Sequence, residues 1–173
     1  ENIVFAIKNT NQIMLLNLNT DEINFFDIEI PTTSDNSETK TINYIDSMRF
    51  DPTGRYLVFD FFQCSVLSSN CDELTNGNWS IAILDIQSGE VEYPFPSQPS
   101  YVNIGFPSFS NLTDRYITLD IQGLPRDDTV VSLVSIYDRV MGNLIDAGAS
   151  SADSYTTGHP SFSSDDSKLV FNM

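Results

Sequence analysis

The chain has 173 residues, 40% of them hydrophobic, with 12 Phe and 7 Tyr. That is enough apolar material to bury a core, and it excludes a disordered chain. The 24 Asp+Glu against 8 Lys+Arg leave a formal charge of −16, a field that repels phosphate backbones and argues against a nucleic-acid partner.

The first predicted strand is NIVFAI, residues 2–7. A hairpin follows in IMLLNLNTDEINFF (13–26), with polar Asn17 before a short turn at 19–22. MRFDPTGRYLVFDFF (48–62) reads as a strand ending at Phe50, a turn at 51–54 and a strand from Tyr56. IAILDIQSGEVEYPF (81–95) is a second hairpin, with Asp85 before a turn at 87–90. PSFSNLTDRYITLDI (107–121) repeats the earlier phrase around Phe109, with a turn one residue longer. VSIYDRVMGNLIDA (134–147) repeats the hairpin around Asp138, and PSFSSDDSKLVFNM (160–173) restates the phrase around Phe162. Gly89 and Gly142 can supply the positive φ that tight hairpin turns demand. Gly54 closes the first phrase turn, where the third copy is expected to place Ser167.

The repeating unit is therefore four antiparallel strands, A to D, recurring about every 55 residues. The β-branched and aromatic enrichment between regular turn clusters predicts an all-β chain without helices. The longest apolar runs, such as 81–84, fall far short of the roughly 20 residues a membrane helix needs. The whole of 1–173 reads as one segment of β-propeller blades, about three in number, a partial propeller on count alone. Its pieces are 1–41 (B-C-D), 42–96 (A-B-C-D), 97–150 (A-B-C-D) and 151–173 (A-B). A small twisted sheet has two apolar faces, and stacking buries both. Phe50, Phe109 and Phe162 are expected between neighbouring sheets.

The phrases FDPTGRYLVF, FSNLTDRYITL and FSSDDSKLVF, with LDIQSGE and IYDRVMGN on the hairpins, resemble the repeat of TolB-type, WD-like β-propellers. That repeat has the form F-S-P-D-G-x-x-L-V-F followed by Y-x-x-D-x-x-x-G. The likeness spans nearly the whole chain, three times over, and implies the propeller fold. It is similar both to the repeats of periplasmic TolB proteins and to those of prolyl-oligopeptidase-like propellers. Pro and Gly at the turn survive only as Pro52 and Gly54, so no partner is carried over with the resemblance.

An up-and-down order places the A–B and C–D turns on one rim and the longer B–C and D–A segments on the other. Those segments are 31–41, 63–78, 97–103, 123–129 and 148–157. Variable loops on a rigid scaffold are the usual binding surface. The most distinctive is 63–78, which carries Cys64, Cys71, Asp72 and Glu73 and is flanked by Phe62 and Trp79. These residues and His159 are the candidate binding set, although Trp79 and Phe62 suit blade packing as well. A Cys64–Cys71 disulfide would stiffen the loop and fits an exported protein. Glu1 in place of Met fits a removed leader or a piece of a longer protein.

No catalytic residue is expected. There is no G-x-S-x-G elbow, and a general base at His159 would need a positioned partner. No metal or cofactor is expected: two thiolates with one distant His are too few for zinc, and no EF-hand loop occurs. Asn78-Trp-Ser80 and Asn111-Leu-Thr113 match the glycosylation pattern. The reading is a non-catalytic propeller scaffold that binds a protein or small ligand, in a periplasmic or secreted protein, with a cytoplasmic location as the alternative. Copies of the chain are expected to self-associate and complete the ring. The rival is an accessory propeller of a prolyl-oligopeptidase-like peptidase whose catalytic domain lies elsewhere. A third reading, a carbohydrate-active propeller, needs two carboxyl groups within about 5–10 Å in one pocket.

Overall fold

The computed structural model describes residues 2–7, 10–30, 40–65, 77–96, 98–99, 101–123, 131–151 and 158–172. Four antiparallel sheets follow one another along the chain. The first holds β1 (Asn2–Ala6), β2 (Gln12–Asn17) and β3 (Ile23–Asp27). The second holds β4 (Lys40–Phe50), β5 (Tyr56–Ser65), β6 (Gly77–Asp85) and β7 (Val91–Glu92). The third holds β8 (Val102–Phe109), β9 (Tyr116–Gly123), β10 (Val131–Asp138) and β11 (Asn143–Ser151), and the fourth β12 (Gly158–Phe162) and β13 (Leu169–Asn172). Every strand pairs only with its sequence neighbours, and no helix occurs among the described residues. The strands reach further into the long segments than expected: β5 runs to Ser65, β6 starts at Gly77 and β11 runs to Ser151.

Side chains alternate across a strand, so one strand can feed two interfaces. In β5, Leu57, Phe59 and Phe61 face the first sheet and join Ile13, Ile28, Val4, Ala6 and Phe26. Val58, with Ile81 and Ile83 of β6, faces the other way and meets Ile104, Phe109, Ile117, Leu119 and Tyr137 of the third sheet. Each fully buried Leu, Ile or Phe stabilises the fold by about 1.5–3 kcal/mol. Two of the predicted anchors lie at these interfaces, Phe50 between the first and second sheets and Phe109 between the second and third.

β8 touches β4, β5 and β6 of the preceding sheet, and β12 touches β8, β9 and β10. The first strands of the second, third and fourth sheets, β4, β8 and β12, therefore lie innermost, each against the next. These sheets are β-propeller blades stacked face to face, two complete and two partial among the described residues.

The inner strands share a defect. Register slips between Ile45 and Met48 in β4, between Gly105 and Ser108 in β8, and between Gly158 and Ser161 in β12. The last two bulges put non-glycine residues at positive φ, Phe106 at 51° and His159 at 52°. The turns use positive φ as expected at Gly89 and Gly142, and Gly54 does the same in the first phrase turn. In the third phrase the position of Gly54 is taken by Asp166 (φ 55°), not by Ser167, which corrects the expected alignment by one residue. Asp tolerates this region because its short side chain bonds locally.

Candidate functional site

The rim of short turns is held by repeated side-chain bonds. Arg55 Nη2 donates to Asp85 Oδ2 at 2.6 Å, and Arg115 Nη2 to Asp138 Oδ2 at the same distance. Each arginine also lies over the tyrosine that follows it, 4.9 Å from the Tyr56 or Tyr116 ring centre. The Arg55 hydrogen bond holds the Asp85 carboxyl down to about 2, and Arg115 likewise lowers Asp138. Between blades, Asp166 accepts the Ser110 hydroxyl and the N–H groups of Asn111 (2.9 Å) and Leu112 (3.0 Å). Arg139 lies 4.4 Å from the Tyr56 ring centre of the preceding blade. These groups stitch turn to turn and blade to blade.

The opposite rim carries a cleft of about 310 Å³ between the second and third sheets. Asp46, Asp60 and Trp79 line it from the second sheet, and Asn103, Gly105, Phe106, Asp120 and Gln122 from the third. Trp79 is near the start of β6, Asn103 near the start of β8 and Gln122 near the end of β9. Those ends lead into the long segments, not into the repeated turns. The cleft thus opens on the rim that the sequence marks as the binding side.

Asp60 sits at its base, 3% exposed. Its Oδ1 accepts the Ser47 N–H at 2.7 Å, and its Oδ2 accepts the Phe106 N–H at 2.8 Å. One carboxylate thus holds the bulges of two adjacent inner strands. Burial pushes its pKa up to about 6, against the lowering effect of those N–H bonds. A Cβ on Gly105 would stand 3.2 Å from Asp60 Oδ2, so the glycine lets the carboxylate come close. Asp120 occupies the same repeat position one blade on. Gln122 Nε2 donates to it at 3.1 Å and Ser132 Oγ at 3.4 Å, yet burial still raises its pKa to about 6.

The aromatic wall is Trp79. Its backbone N–H donates to Asn103 Oδ1 at 2.9 Å, which joins the two sheets at the mouth of the cleft. Behind it, Phe62 stacks on Tyr44 at 5.2 Å between ring centres and lies 5.6 Å from Trp79. Of the sequence candidates, then, Trp79 lines the cleft and Phe62 supports it from a buried position. His159 lies on β12, exposed, with its ring 3.8 Å from that of Phe106. It opens on a smaller cavity of about 130 Å³ along the bulges, shared with Ser47, Arg49, Phe106 and Ser108. Asp72, Glu73 and Cys71 lie outside the described residues. Cys64 is buried at the end of β5, and no cysteine among the described residues is free.

Both glycosylation patterns fall on engaged amides. Asn78 is buried, accepts from Gln63 and donates to the Val102 carbonyl, and Asn111 donates to the Phe162 and Ser163 carbonyls. Among the described residues no three His, Cys, Asp or Glu are placed to hold a metal together. Likewise, no described helix is long and apolar enough to cross a membrane.

Asp46, Asp60, Phe106, Asp120 and Gln122 escape the sequence reading, and Asn103 enters it only as the end of the 97–103 segment. A signal for two of them exists. The strands VFD (58–60), TLD (118–120) and VFN (170–172) each carry Asp or Asn at the same register of the repeat. The cleft is lined by strand residues and not by the loops between them.

Fold and cleft together define an all-β array of propeller blades with a polar–aromatic groove between two of them. No protein-family model matches the chain, and no curated protein does. Among solved structures it is similar to a Bacteroides ovatus protein assigned provisionally as a dipeptidyl aminopeptidase IV, at 11% identity and a TM-score of 0.41. The likeness covers 83% of this chain and 27% of that one, so the chain spans well under half of that protein's length.

Proposed function

We propose that this chain is a non-catalytic propeller scaffold of an exported protein, and that it binds a cationic ligand in the cleft between its second and third sheets. The observation that carries this reading is the cleft lining: Asp46 and Asp120 supply acceptors above the Asp60 floor, and Trp79 and Phe106 supply aromatic surface. Carboxylates and an indole face together suit an ammonium or guanidinium group on an apolar stem, such as a Lys or Arg side chain of a peptide. Asp60 already commits both oxygens to backbone N–H groups, which supports a holding role over proton transfer. A Cys64–Cys71 disulfide closing the adjoining loop belongs to the same reading, since it would lower the entropy lost on binding.

The protein's single tryptophan is Trp79, so its fluorescence reports on this cleft directly. A short tri-lysine peptide with an apolar flank is expected to shift the emission saturably at one site. Its acetylated form should not, and Asp120→Asn should weaken the binding severalfold. An emission that ignores the peptide, or responds equally to the acetylated form, overturns the assignment. Alkylation and mass measurement with and without reductant tests the disulfide. A parent reading frame carrying a hydrolase domain would instead favour an accessory propeller of a larger peptidase.

A further inference from the structure

The first sheet has one covered face and one bare face. Val4, Ala6, Ile13 and Phe26 pack against the second sheet. Antiparallel partners share a face, so Ile3, Leu16 and Ile23 form one row on the other side, and Phe5, Met14 and Phe25 form the next. All six are apolar and none is buried; Ile23 and Phe25 are 52% and 58% exposed.

Position in the repeat says what belongs on that face. Ile3-Val4-Phe5 aligns with Leu57-Val58-Phe59, Ile117-Thr118-Leu119 and Leu169-Val170-Phe171. Leu57 and Phe59 pack on the sheet before their own, and so do Ile117 and Leu119. All four are 0% exposed, against 39% for Ile3 and 42% for Phe5. Ile3 and Phe5 therefore point toward a preceding sheet that the described residues do not contain. The middle residue of the triplet points the other way. Val58 is fully buried against the following sheet, whereas Val170, at the far end of the stack, is 64% exposed.

We propose that these two surfaces are the halves of one contact between copies of the chain. The β12–β13 sheet of one copy packs on the bare face of the β1–β3 sheet of the next and continues the stack. The occupant is a second copy because the chain already makes this contact internally, from first sheet to second, second to third and third to fourth. The contact is heterologous, so it joins unlike faces and closes into a ring or extends, according to the rotation per blade. Its apolar face works against a chain charge of −16, so added salt should strengthen it.

Sedimentation velocity of the 173-residue chain, at about 0.15 M and about 0.5 M salt, tests this. The expected mass exceeds one chain, rises with protein concentration and is larger at the higher salt. Phe5→Glu and Val170→Glu each alter an exposed side chain and should keep the wild-type circular dichroism. Each alone should sediment as a monomer. An equal mixture should regain association, because one variant keeps an intact last sheet and the other an intact first sheet. A monomeric wild type overturns the proposal. So does a Val170→Glu variant that still associates as wild type does, which would mean that two first sheets meet head to head. A mixture that stays monomeric overturns it as well.

Discussion

Asp60 Oδ2, on the second sheet, accepts the backbone N–H of Phe106, on the third, at 2.8 Å, while its other oxygen accepts Ser47 N–H at 2.7 Å. The carboxylate is the shared fastener of two bulged inner strands, and it forms the floor of the cleft. The propeller stack and the candidate site therefore depend on the same atom pair.

Asp60→Asn should test that dependence. An amide offers one accepting oxygen where the carboxylate offers two, so one of the two N–H groups would face an NH₂. A buried donor left without a partner costs about 1–3 kcal/mol. The urea midpoint should fall by a corresponding amount, and the Trp79 emission should shift because the adjoining sheet edge relaxes. A midpoint equal to wild type would show that Asp60 does not fasten the blades.

The pH dependence of stability should run in two directions. Asp60 and Asp120 have folded pKa values near 6, above their unfolded values, because burial disfavours the charged form. Between pH 4 and 6 the native state holds more protons than the unfolded chain. Stability from these two groups is therefore greatest below that window, falls as pH rises through it and stays at the lower level above it. Asp85 and Asp165 lie near 2, lowered respectively by hydrogen bonds from Arg55 and from Ser163 and Ser167. Their contribution is present above the unfolded carboxylate pKa and is lost as pH falls toward 2. Urea midpoints measured from pH 2 to 8 should peak at about pH 4, near the unfolded carboxylate pKa. The double change Asp60→Asn, Asp120→Asn should flatten the limb above the peak and leave the acid limb in place. A peak at neutral pH would contradict the assignment of either group.

The strands were legible because their apolar runs and turns recur three times with the same phrase, and repetition separates signal from composition. Leu57-Val58-Phe59 has no alternation of polarity, since both faces of its sheet are buried, yet its place after the Asp51–Tyr56 turn marks it as a strand. The cleft was not legible in the same way. The Asp60–Phe106 bond joins residues 46 positions apart on different sheets. It exists only because β8 bulges, and nothing in GFPS says that positive φ falls on Phe106 and not on Gly105. Loop length pointed to the rim on which the cleft opens, but the residues that line the cleft come from the strands beneath.

The two rim pairs predict an order of severity. Asp138 accepts from Arg115 Nε and Nη2 at 2.9 and 2.6 Å, and also from the N–H groups of Val140 and Met141 at 3.0 and 3.2 Å. Arg115→Ala removes the first two bonds and leaves the turn capped. Asp138→Ala removes all four. The melting temperature should therefore fall more for Asp138→Ala than for Arg115→Ala, whose side chain is 40% exposed and whose ion pair is screened by solvent. Equal losses would mean that the ion pair, not the turn cap, is the part that matters.

Gly77 opens β6 beneath the aromatic group. A Cβ there would lie 2.2 Å from Phe62 Cζ and 2.9 Å from Cys64 Sγ, closer than side chains pack. Phe62 cannot swing away freely, because its ring is stacked on Tyr44 and tilted against Trp79. Overpacking of this kind costs about 1–3 kcal/mol. Gly77→Ala should lower the urea midpoint accordingly and change the emission of Trp79. Phe62→Leu, which removes the atom met first, should cost stability alone yet recover part of the loss when combined with Gly77→Ala. Positive coupling in that double-mutant cycle identifies the clash as the cause. Strict additivity would show that Gly77 is required by its backbone and not by the ring above it.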